Sequence, residues 1–329
     1  MTRRFGSAAW AGALLSVAAG CTLDPMLSDR PREAGAPADA DADAARDSAV
    51  PAARATDVLP APHGLLTVFG TSPSDVWVTG EEGALARFDG EGWHGFPTAL
   101  NTPLRGLHGN GPGNVWAVGP HAVLRFDGEA WVELLHVPEE TLLDIWVSPR
   151  GEAWIAGHSN RDDRALVRSW DGVSWQTYVL ETALTFWAVW GSSDGVIYIA
   201  GTAFDGSGVV LRGNADGVVP SGYAGPSVRD VWGTSSDDVW VAAYEGVFQH
   251  WDGSSWTVYE APIPLITRAF AVGLDGLILH YDGEIWSRGA SGTDKTLMSV
   301  WAAAADDAWV VGDATVLHWD GSEWSDTTR

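Results

Sequence analysis

Val228 to Glu260 reads VRDVWGTSSDDVWVAAYEGVFQHWDGSSWTVYE, and this stretch is the clearest copy of a unit that recurs along the chain after residue 64. It contains four short runs rich in β-branched and aromatic residues, namely Val228–Trp232, Val239–Ala242, Val247–Trp251 and Ser255–Tyr259. Clusters of Gly, Asp and Ser separate the runs, and Asp252 with Gly253 forms a typical hairpin signal. This pattern predicts four β-strands joined by tight turns.

Two landmarks align the copies: an aromatic residue in the second strand and an Asp-Gly pair after the third. The aromatic residues are Trp77, Trp116, Trp154, Tyr198, Trp240, Phe270 and Trp309, and the Asp-Gly pairs begin at Asp89, Asp127, Asp171, Asp216, Asp252, Asp282 and Asp320. The successive Asp-to-Asp spacings are 38, 44, 45, 36, 30 and 38 residues. Periods of this length are typical of propellers and solenoids, and four strands per copy favour radially arranged blades. The sequence therefore predicts an all-β fold, a seven-bladed β-propeller of four-stranded blades.

Two copies depart from the pattern. Copy four carries an insertion at Thr202–Gly208 and lacks a tryptophan after its Asp-Gly pair. Copy six is the shortest, so its first strand or the following turn must be abbreviated. Six blades plus a degenerate one is therefore the architectural alternative, and the pattern leaves the mode of ring closure open.

The N-terminus has the composition of a secretory signal. Arg3 and Arg4 precede an apolar stretch from Ala8 to Ala19 that is too short to span a bilayer, which takes about 20 residues. The stretch ends at Ala18-Ala19-Gly20-Cys21, which resembles the lipobox of bacterial lipoproteins. This resemblance implies that residues 1–21 form a signal peptide, that Cys21 is lipidated, and that the protein is exported and anchored to the outer membrane, facing the periplasm or the cell surface. Cys21 is the only cysteine in the sequence, so it has no internal disulfide partner.

Residues 22–63 are dominated by Ala, Asp and Pro and contain few large apolar residues. Such a segment buries too little surface to offset the entropy of ordering it, so the sequence predicts a disordered tether. Residues 64–329 follow without an internal linker, which predicts a single propeller domain and, in the simplest case, a monomer.

The repeats resemble bacterial propellers of the Asp-box or BNR-like kind and the Trp-rich tectonin-type repeats. In the Asp-box family the Asp and Gly are separated by one residue, whereas here they are adjacent, as in Asp252-Gly253-Ser254-Ser255-Trp256. The resemblance covers residues 65 to 325 and implies propeller architecture without a specific activity.

The repeated residues have local structural explanations. An Asp in the turn accepts backbone hydrogen bonds while Gly supplies positive φ, so the Asp column predicts turns rather than metal ligands. The second-strand column and a fourth-strand column predict packing between blades, with exposed sugar-stacking platforms as the alternative. The fourth-strand column consists of Trp93, Trp131, Trp175, Trp256, Trp286 and Trp324. A third column two residues before the Asp is basic or histidine, at Arg87, Arg125, His250, His280 and His318, and its members lie around the ring, too far apart to share a zinc ion.

Residues of the first strands are the ones expected to converge, because these strands line the axis in most propellers. The polar residues there that do not repeat are Arg105, Asp144, Arg229 and Asp230, with Thr67 and Ser299 at related positions. They form the candidate ligand-binding funnel, and the alternative is a set of structural pairs around a few water molecules.

Charge and motifs exclude several classes of function. A formal net charge of −24 and a single lysine, Lys295, argue against nucleic acid as a partner. The sequence contains no nucleophile elbow, P-loop or metal-ligand spacing, and it predicts no catalytic residue, metal or cofactor. The leading hypothesis is a non-enzymatic, envelope-anchored propeller that binds a protein or glycan partner through loops such as Asn160–Arg164 and Thr202–Gly208. The alternative is a polysaccharide-acting glycosidase or lyase with carboxylates in the central funnel.

Overall fold

The computed structural model describes residues 14–15, 64–180, 183–244, 247–259, 269–281, 286–304 and 306–328. Within these ranges nearly all regular structure is β-strand, and the one helix is a short 3-10 turn at Glu81–Gly83. In this part of the chain no helix is long and apolar enough to cross a membrane. The predicted signal peptide (apart from residues 14–15), Cys21, the tether and Asp282 lie outside the described residues.

The strands form six antiparallel sheets, which we number along the chain. Sheet 1 contains β2 (Leu65–Ser72), β3 (Asp75–Gly80), β4 (Leu85–Phe88) and β5 (Trp93–Gly95). Sheet 2 contains β6 (Gly106–Gly111), β7 (Asn114–Phe126), β8 (Trp131–Val147), β9 (Ala153–Ser159), β10 (Arg164–Trp170) and β11 (Trp175–Leu180). Sheet 3 contains β12 (Ala183–Gly191), β13 (Ile197–Ala203), β14 (Gly208–Asn214) and β15 (Gly217–Pro220).

The remaining strands complete the fold. Sheet 4 contains β16 (Val228–Ser235), β17 (Asp238–Ala243), β18 (Phe248–Trp251) and β19 (Trp256–Tyr259). Sheet 5 contains β1 (Leu14–Leu15), β20 (Ala269–Val272), β21 (Ile278–Tyr281) and β22 (Trp286–Gly289), and sheet 6 contains β23 (Leu297–Ala304), β24 (Asp307–Gly312), β25 (Thr315–Trp319) and β26 (Trp324–Asp326). Consecutive strands pair within each sheet, and β1 pairs with β20. The four strands predicted from the sequence between Val228 and Glu260 correspond to β16–β19.

The all-β propeller is confirmed, but the prediction of seven separate four-stranded sheets is wrong for the described residues. Five sheets have the four-stranded form of a blade, and sheet 2 has six strands. Sheet 2 arises because β7 spans 13 residues and β8 spans 17. The stretch Gly119-Pro120-His121 lacks the polar cluster that separates strands in other copies, so pairing continues through Pro120 opposite Thr141.

The cores lie between adjacent sheets. Sheet 6 packs against sheet 1 through Leu65, Val76, Trp309 and Val316, so the first and last sheets close the ring by packing, each built from its own continuous stretch. All seven second-strand aromatic residues are less than 9% exposed. Burial of this column agrees with the prediction that it packs blades together, since large rings fill the space between two sheets.

Candidate functional site

The inner strands, those nearest the axis, bring residues of different sheets together. They are β2, β6, the C-terminal half of β8, β12, β16 and β23. Neighbouring members are in contact, β2 with β6, β8 with β12, β12 with β16, and β23 with β2. Side chains on these strands therefore meet across sheet boundaries, whereas equivalent residues on outer strands do not.

Asp144 and Asp230 lie at matching irregularities in two inner strands. The pairing of β8 with β9 shifts register between Leu142 and Asp144, and the pairing of β16 with β17 shifts between Val228 and Asp230. Such β-bulges turn a side chain away from its regular direction. Both carboxyl groups are half-buried beside the axis.

The two carboxyl groups influence each other. Asp144 accepts hydrogen bonds from the backbone N–H groups of Ile145 and Val189, each at 2.8 Å, yet desolvation dominates and raises its pKa to about 7. Asp230 accepts a hydrogen bond from the Val231 N–H at 2.9 Å. Desolvation, together with the negative charge of Asp144, raises the pKa of Asp230 well above its ordinary value. Two of the four predicted funnel residues thus lie near enough for the charge of Asp144 to act on Asp230.

Polar residues at related positions on the other inner strands bridge neighbouring sheets. Ser299 Oγ accepts a hydrogen bond from the Val68 N–H at 3.4 Å, which links sheet 6 to sheet 1. Thr67 Oγ1 donates to the carbonyl oxygen of Arg105 at 2.6 Å, which links sheet 1 to sheet 2. These bonds show that inner-strand polar side chains serve ring assembly.

A set of aromatic residues occupies matching positions on the inner strands, two positions after Thr67, Asp144, Asp230 and Ser299 in four of the six cases, and the sequence interpretation missed it. Its members are Phe69, His108, Trp146, Trp190, Trp232 and Trp301. The ring centroids of Phe69 lie 4.7 Å from His108 and 6.4 Å from Trp301. A Cβ atom on Gly191 would stand 2.7 Å from the Trp146 ring, so glycine is needed where this ring meets the next sheet. The signal was present as a repeat at a fixed distance from Asp144, Asp230 and Ser299.

His108 is the polar member of this set of inner-strand aromatic residues. Its Nδ1 atom accepts a hydrogen bond from the Val147 N–H at 3.0 Å, which requires a neutral imidazole with the proton on the other nitrogen. Desolvation by burial lowers the pKa of His108 to about 4. The His108 imidazole is therefore uncharged at neutral pH, and its hydrogen bond to Val147 links two copies within sheet 2.

The two arginines of the predicted funnel stand at its mouth, away from the carboxyl pair. Arg105 is exposed, and its guanidinium lies 3.9 Å from the Glu81 carboxylate. The Arg229 guanidinium lies 3.8 Å from the ring centroid of Trp187 and 4.7 Å from that of Tyr244, whose hydroxyl it also contacts. We call Arg229, Trp187 and Tyr244 the rim cluster.

The rim cluster belongs to the face that carries the loops between second and third strands, here called the 2–3 loop face. The loop 204–207 lies on the same face, and its Phe204 is 50% exposed, while Tyr244 is 46% exposed. Trp187 Nε1 donates to Thr202 Oγ1 at 2.9 Å, so the rim cluster is tied to the base of this loop. The loop 160–163 also lies on this face, where Arg161 pairs with Glu139. Both loops named from the sequence therefore surround one end of the axis.

A shallow depression of about 490 Å³ lies on the same face at the junction of sheets 5 and 6. Gly276 and residues 288–294 line it, including Arg288, Ser291 and Asp294. Backbone and small polar groups dominate this lining, so the depression widens the polar area around the rim cluster.

The Asp-Gly turns lie on the opposite face and have no free coordinating geometry. Asp252 Oδ1 accepts hydrogen bonds from the Ser254 and Ser255 N–H groups at 2.8 Å each, and Gly253 has φ of 91°. A hydrogen bond from the Ser254 hydroxyl at 2.7 Å, together with these backbone hydrogen bonds, lowers the pKa of Asp252 to about 2. In the described part of the chain, no group of three or more His, Cys, Asp or Glu side chains is placed to hold a metal ion.

The basic column on the third strands makes hydrogen bonds within its own sheet. Arg87 donates to Asp75 at 2.6 Å, Arg125 donates to Asn114 at 2.7 Å, and His250 Nε2 lies 2.6 Å from an Asp238 oxygen. His318 and Asp307 repeat the last arrangement at 3.1 Å. These four members each have a partner near the start of the second strand, in keeping with a structural role.

Comparison with known proteins defines the class by fold. No family model matches the chain, and no curated protein matches it in sequence. The chain is similar in structure to YCF48 bound to D1 peptide, with a TM-score of 0.60 and 16% identity over 82% of this chain and 97% of that one. It is also similar to virginiamycin B lyase from Staphylococcus aureus, with a TM-score of 0.65 and 12% identity over 81% of this chain and 97% of that one. For the WD40 propeller domain of Doa1 the TM-score is 0.61 and the identity 14%, over 84% of this chain and 97% of that one. These neighbours differ widely in kind, so the similarity shows a β-propeller and nothing finer.

Proposed function

We propose that this protein is a non-enzymatic binding scaffold whose 2–3 loop face holds a segment of a partner protein. The observation that carries the proposal is the rim cluster, in which Arg229 is stacked against Trp187 and Tyr244 at the mouth of the axis. Arginine and large aromatic residues supply most of the binding energy in protein interfaces. Tyr244 and Phe204 are large aromatic residues on the same face with about half of their surface exposed, so both are available for contact with a partner.

The chemistry of the rim cluster favours a segment with a single carboxylate. The guanidinium of Arg229 has five N–H donors in a planar fork, which suits a carboxylate better than a neutral group. A polyanion is disfavoured, because the whole chain carries a formal net charge of −24. The YCF48 structure of the same fold was solved with a D1 peptide, which supports a polypeptide ligand for a propeller of this size.

The finer features read from the sequence complete the proposal. Cleavage before Cys21 and lipidation of this residue would anchor the protein in the envelope, with residues 22–63 as the tether. Sheet 2 contains copies two and three in one continuous pairing, so the seven repeat copies of the sequence are distributed over six sheets. The isolated body is expected to be a monomer.

A second candidate is a glycosidase or lyase, and the carboxyl pair is the observation in its favour. A pKa of about 7 for Asp144 is suitable for a general acid, and a virginiamycin B lyase shares the fold. Against this reading, both carboxyl oxygens of Asp144 already accept backbone N–H groups. A polysaccharide cleaved by the wild type and left intact by Asp144→Asn and Asp230→Asn variants would establish it.

The binding proposal is tested with the full-length protein and a random peptide display library. Selected peptides are measured by fluorescence anisotropy against wild type, Arg229→Ala and Tyr244→Ala, with Arg150→Ala as the matched control. Arg150 is an exposed arginine in a turn on the opposite face. We expect at least a tenfold weaker Kd for the two rim variants, equivalent to about 1.4 kcal/mol, and an unchanged Kd for the control.

Two results would overturn the proposal. One is a set of peptides that bind the rim variants as tightly as wild type. The other is a library that yields no binder while a glycan array yields selective ligands, which would transfer the function to a lectin-like module.

A further inference from the structure

The β-bulges described above for two inner strands recur on five inner strands of the described residues. In sheet 1, Leu65 and Thr67 pair with successive residues of β3, so Leu66 between them has no place in the ladder. The residues skipped in the same way in sheets 2, 3, 4 and 6 are Leu143, Trp187, Arg229 and Met298. Each is the extra residue of a bulge, and we call these five residues the bulge column.

The bulge column lies beside the axis at the 2–3 loop face. Leu65, directly before Leu66, pairs with Gly80, the last residue of β3 before the 2–3 loop. The residue before each member is buried in a core between sheets, whereas all five members are half-buried. The inner strands contact one another around the axis, and the Arg229 guanidinium of sheet 4 lies 3.8 Å from the Trp187 ring centroid of sheet 3. The bulges therefore turn these side chains out of the cores toward the mouth of the axis.

The composition of the bulge column is apolar with one guanidinium. Four of its members are large apolar residues, namely Leu66, Leu143, Trp187 and Met298. In the described part of the chain, the Arg229 guanidinium contacts two aromatic rings and the Tyr244 hydroxyl rather than a carboxylate. Arg105 has the equivalent position in copy two, but its guanidinium already faces Glu81 at 3.9 Å. The column thus offers apolar surface beside a guanidinium that is available for an anion.

We propose that the bulge column recognises a carboxylate next to a large apolar side chain on the partner polypeptide. Arg229 binds the carboxylate, and Leu143 and Met298, with Leu66, receive the apolar side chain. Burial of such a side chain supplies binding energy, and the charged pair fixes its orientation. This inference rests on the binding role proposed above and adds the chemistry by which the partner is selected. A side-chain carboxylate and a chain terminus offer the same chemistry, and the experiment separates them.

The test uses the full-length protein and short synthetic peptides of glycine and serine that carry one recognition pair. One probe has a central Leu-Asp pair and an amidated C-terminus. The other ends in leucine with a free terminal carboxylate and contains no aspartate. Each probe has one counterpart with serine in place of leucine and one without the carboxylate. Dissociation constants are measured by ligand-observed NMR titration up to millimolar concentration. We expect at least one leucine probe to bind about tenfold more tightly than both of its counterparts.

Variants of the protein assign the two preferences to residues. Leu143→Ser/Met298→Ser should lose the preference for leucine over serine and keep the preference for a carboxylate, and Arg229→Ala should do the reverse. Met298→Leu retains an apolar side chain and should bind as wild type does. Val258→Ser is the matched control, because Val258 is 59% exposed on β19 at the outer edge of sheet 4. The Tm of each variant shows that it is folded.

The outcomes separate this inference from the proposed function. Tighter binding of either leucine probe supports the inference, and the tighter of the two shows whether the carboxylate is a side chain or a terminus. Equal dissociation constants for the leucine and serine peptides on wild type would overturn it, as would the absence of binding by every probe. In both cases display-selected peptides that depend on Arg229 would leave the binding role standing. Peptides that bind Arg229→Ala as tightly as wild type would overturn both.

Discussion

The Asp144 carboxylate accepts the backbone N–H of Val189 at 2.8 Å, and this bond joins sheet 2 to sheet 3 beside the axis. The two residues are 45 positions apart in the chain. Because the Asp144 carboxyl group is half-buried and its charge raises the pKa of Asp230, this bond couples ring assembly to the ionisation of both carboxyl groups.

This coupling predicts that stability falls as pH rises toward neutrality. The folded-state pKa of Asp144 is about 7, above its ordinary value of 3.8, so the native state binds more protons between these values. Stability is therefore highest below about pH 4 for this group and is lost as pH rises through 7, by on the order of 2 kcal/mol. Urea unfolding of wild type and Asp144→Asn from pH 4.5 to 7.5 should show a smaller pH dependence in the variant.

Asp171→Asn is the control for this experiment. Asp171 lies in an exposed turn, and the Ser174 and Val173 N–H groups lower its pKa, so it does not titrate in the same range. Equal pH dependence in wild type and Asp144→Asn would show that Asp144 is ionised throughout.

His108 predicts the opposite trend. Burial lowers its pKa from 6.5 to about 4, so the unfolded chain binds the extra proton between these values. The stability that depends on neutral His108 is present above pH 6.5 and is lost as pH falls through 4, at most about 3 kcal/mol. His108→Asn keeps an acceptor for the Val147 N–H and should remove this part of the pH dependence.

His108→Leu tests the hydrogen bond itself, since it leaves the Val147 N–H without an acceptor. A loss of about 1 to 3 kcal/mol is expected at every pH. His136 is an exposed histidine paired with Glu133, and His136→Asn serves as control. It should change neither the pH dependence of stability nor the free energy of unfolding. If the stability of His108→Asn depends on pH as that of wild type does, another group is responsible for the loss of stability in acid.

Trp240 is expected to be a core residue. It is 3% exposed and stacks on His250 with ring centroids 4.3 Å apart. Trp240→Ala should lower the free energy of unfolding by about 3 to 5 kcal/mol, because it leaves a large cavity between sheets. Trp256→Ala, at a half-buried position of the same sheet, should cost clearly less. Equal unfolding midpoints for the Trp240 variant and wild type would refute its placement.

Calcium should leave stability unchanged. The Asp252 carboxylate, like those of Asp89 and Asp320, accepts N–H groups of its own turn. Thermal unfolding in millimolar calcium and in excess EDTA should give the same Tm. A rise in Tm with calcium that disappears in Asp252→Ala would show that the turn carboxylates coordinate the ion.

Much of the fold could be predicted from local pattern. The strands of the Val228–Glu260 unit, the hairpin turns and the burial of the second-strand aromatic column all follow from alternation, turn chemistry and a fixed period. Arg105, Asp144, Arg229 and Asp230 could be selected as axis residues because they are polar and do not repeat.

The division of these four residues into a carboxyl pair and an exposed rim could not be predicted. Asp144 and Asp230 lie at β-bulges of two inner strands, whereas the Arg229 guanidinium contacts Trp187 and Tyr244 at the rim. The long strands that merge two copies in sheet 2 also depend on pairing between distant residues, such as Pro120 with Thr141.

The sequence by itself determined the repeat, the strands and the residues that every blade buries, because backbone hydrogen bonding and hydrophobic alternation act within a few residues. The tertiary structure decided which polar side chains lie close together beside the axis and how the ring closes. These outcomes depend on contacts between residues far apart in the chain, and only the packing of all the sheets together sets them.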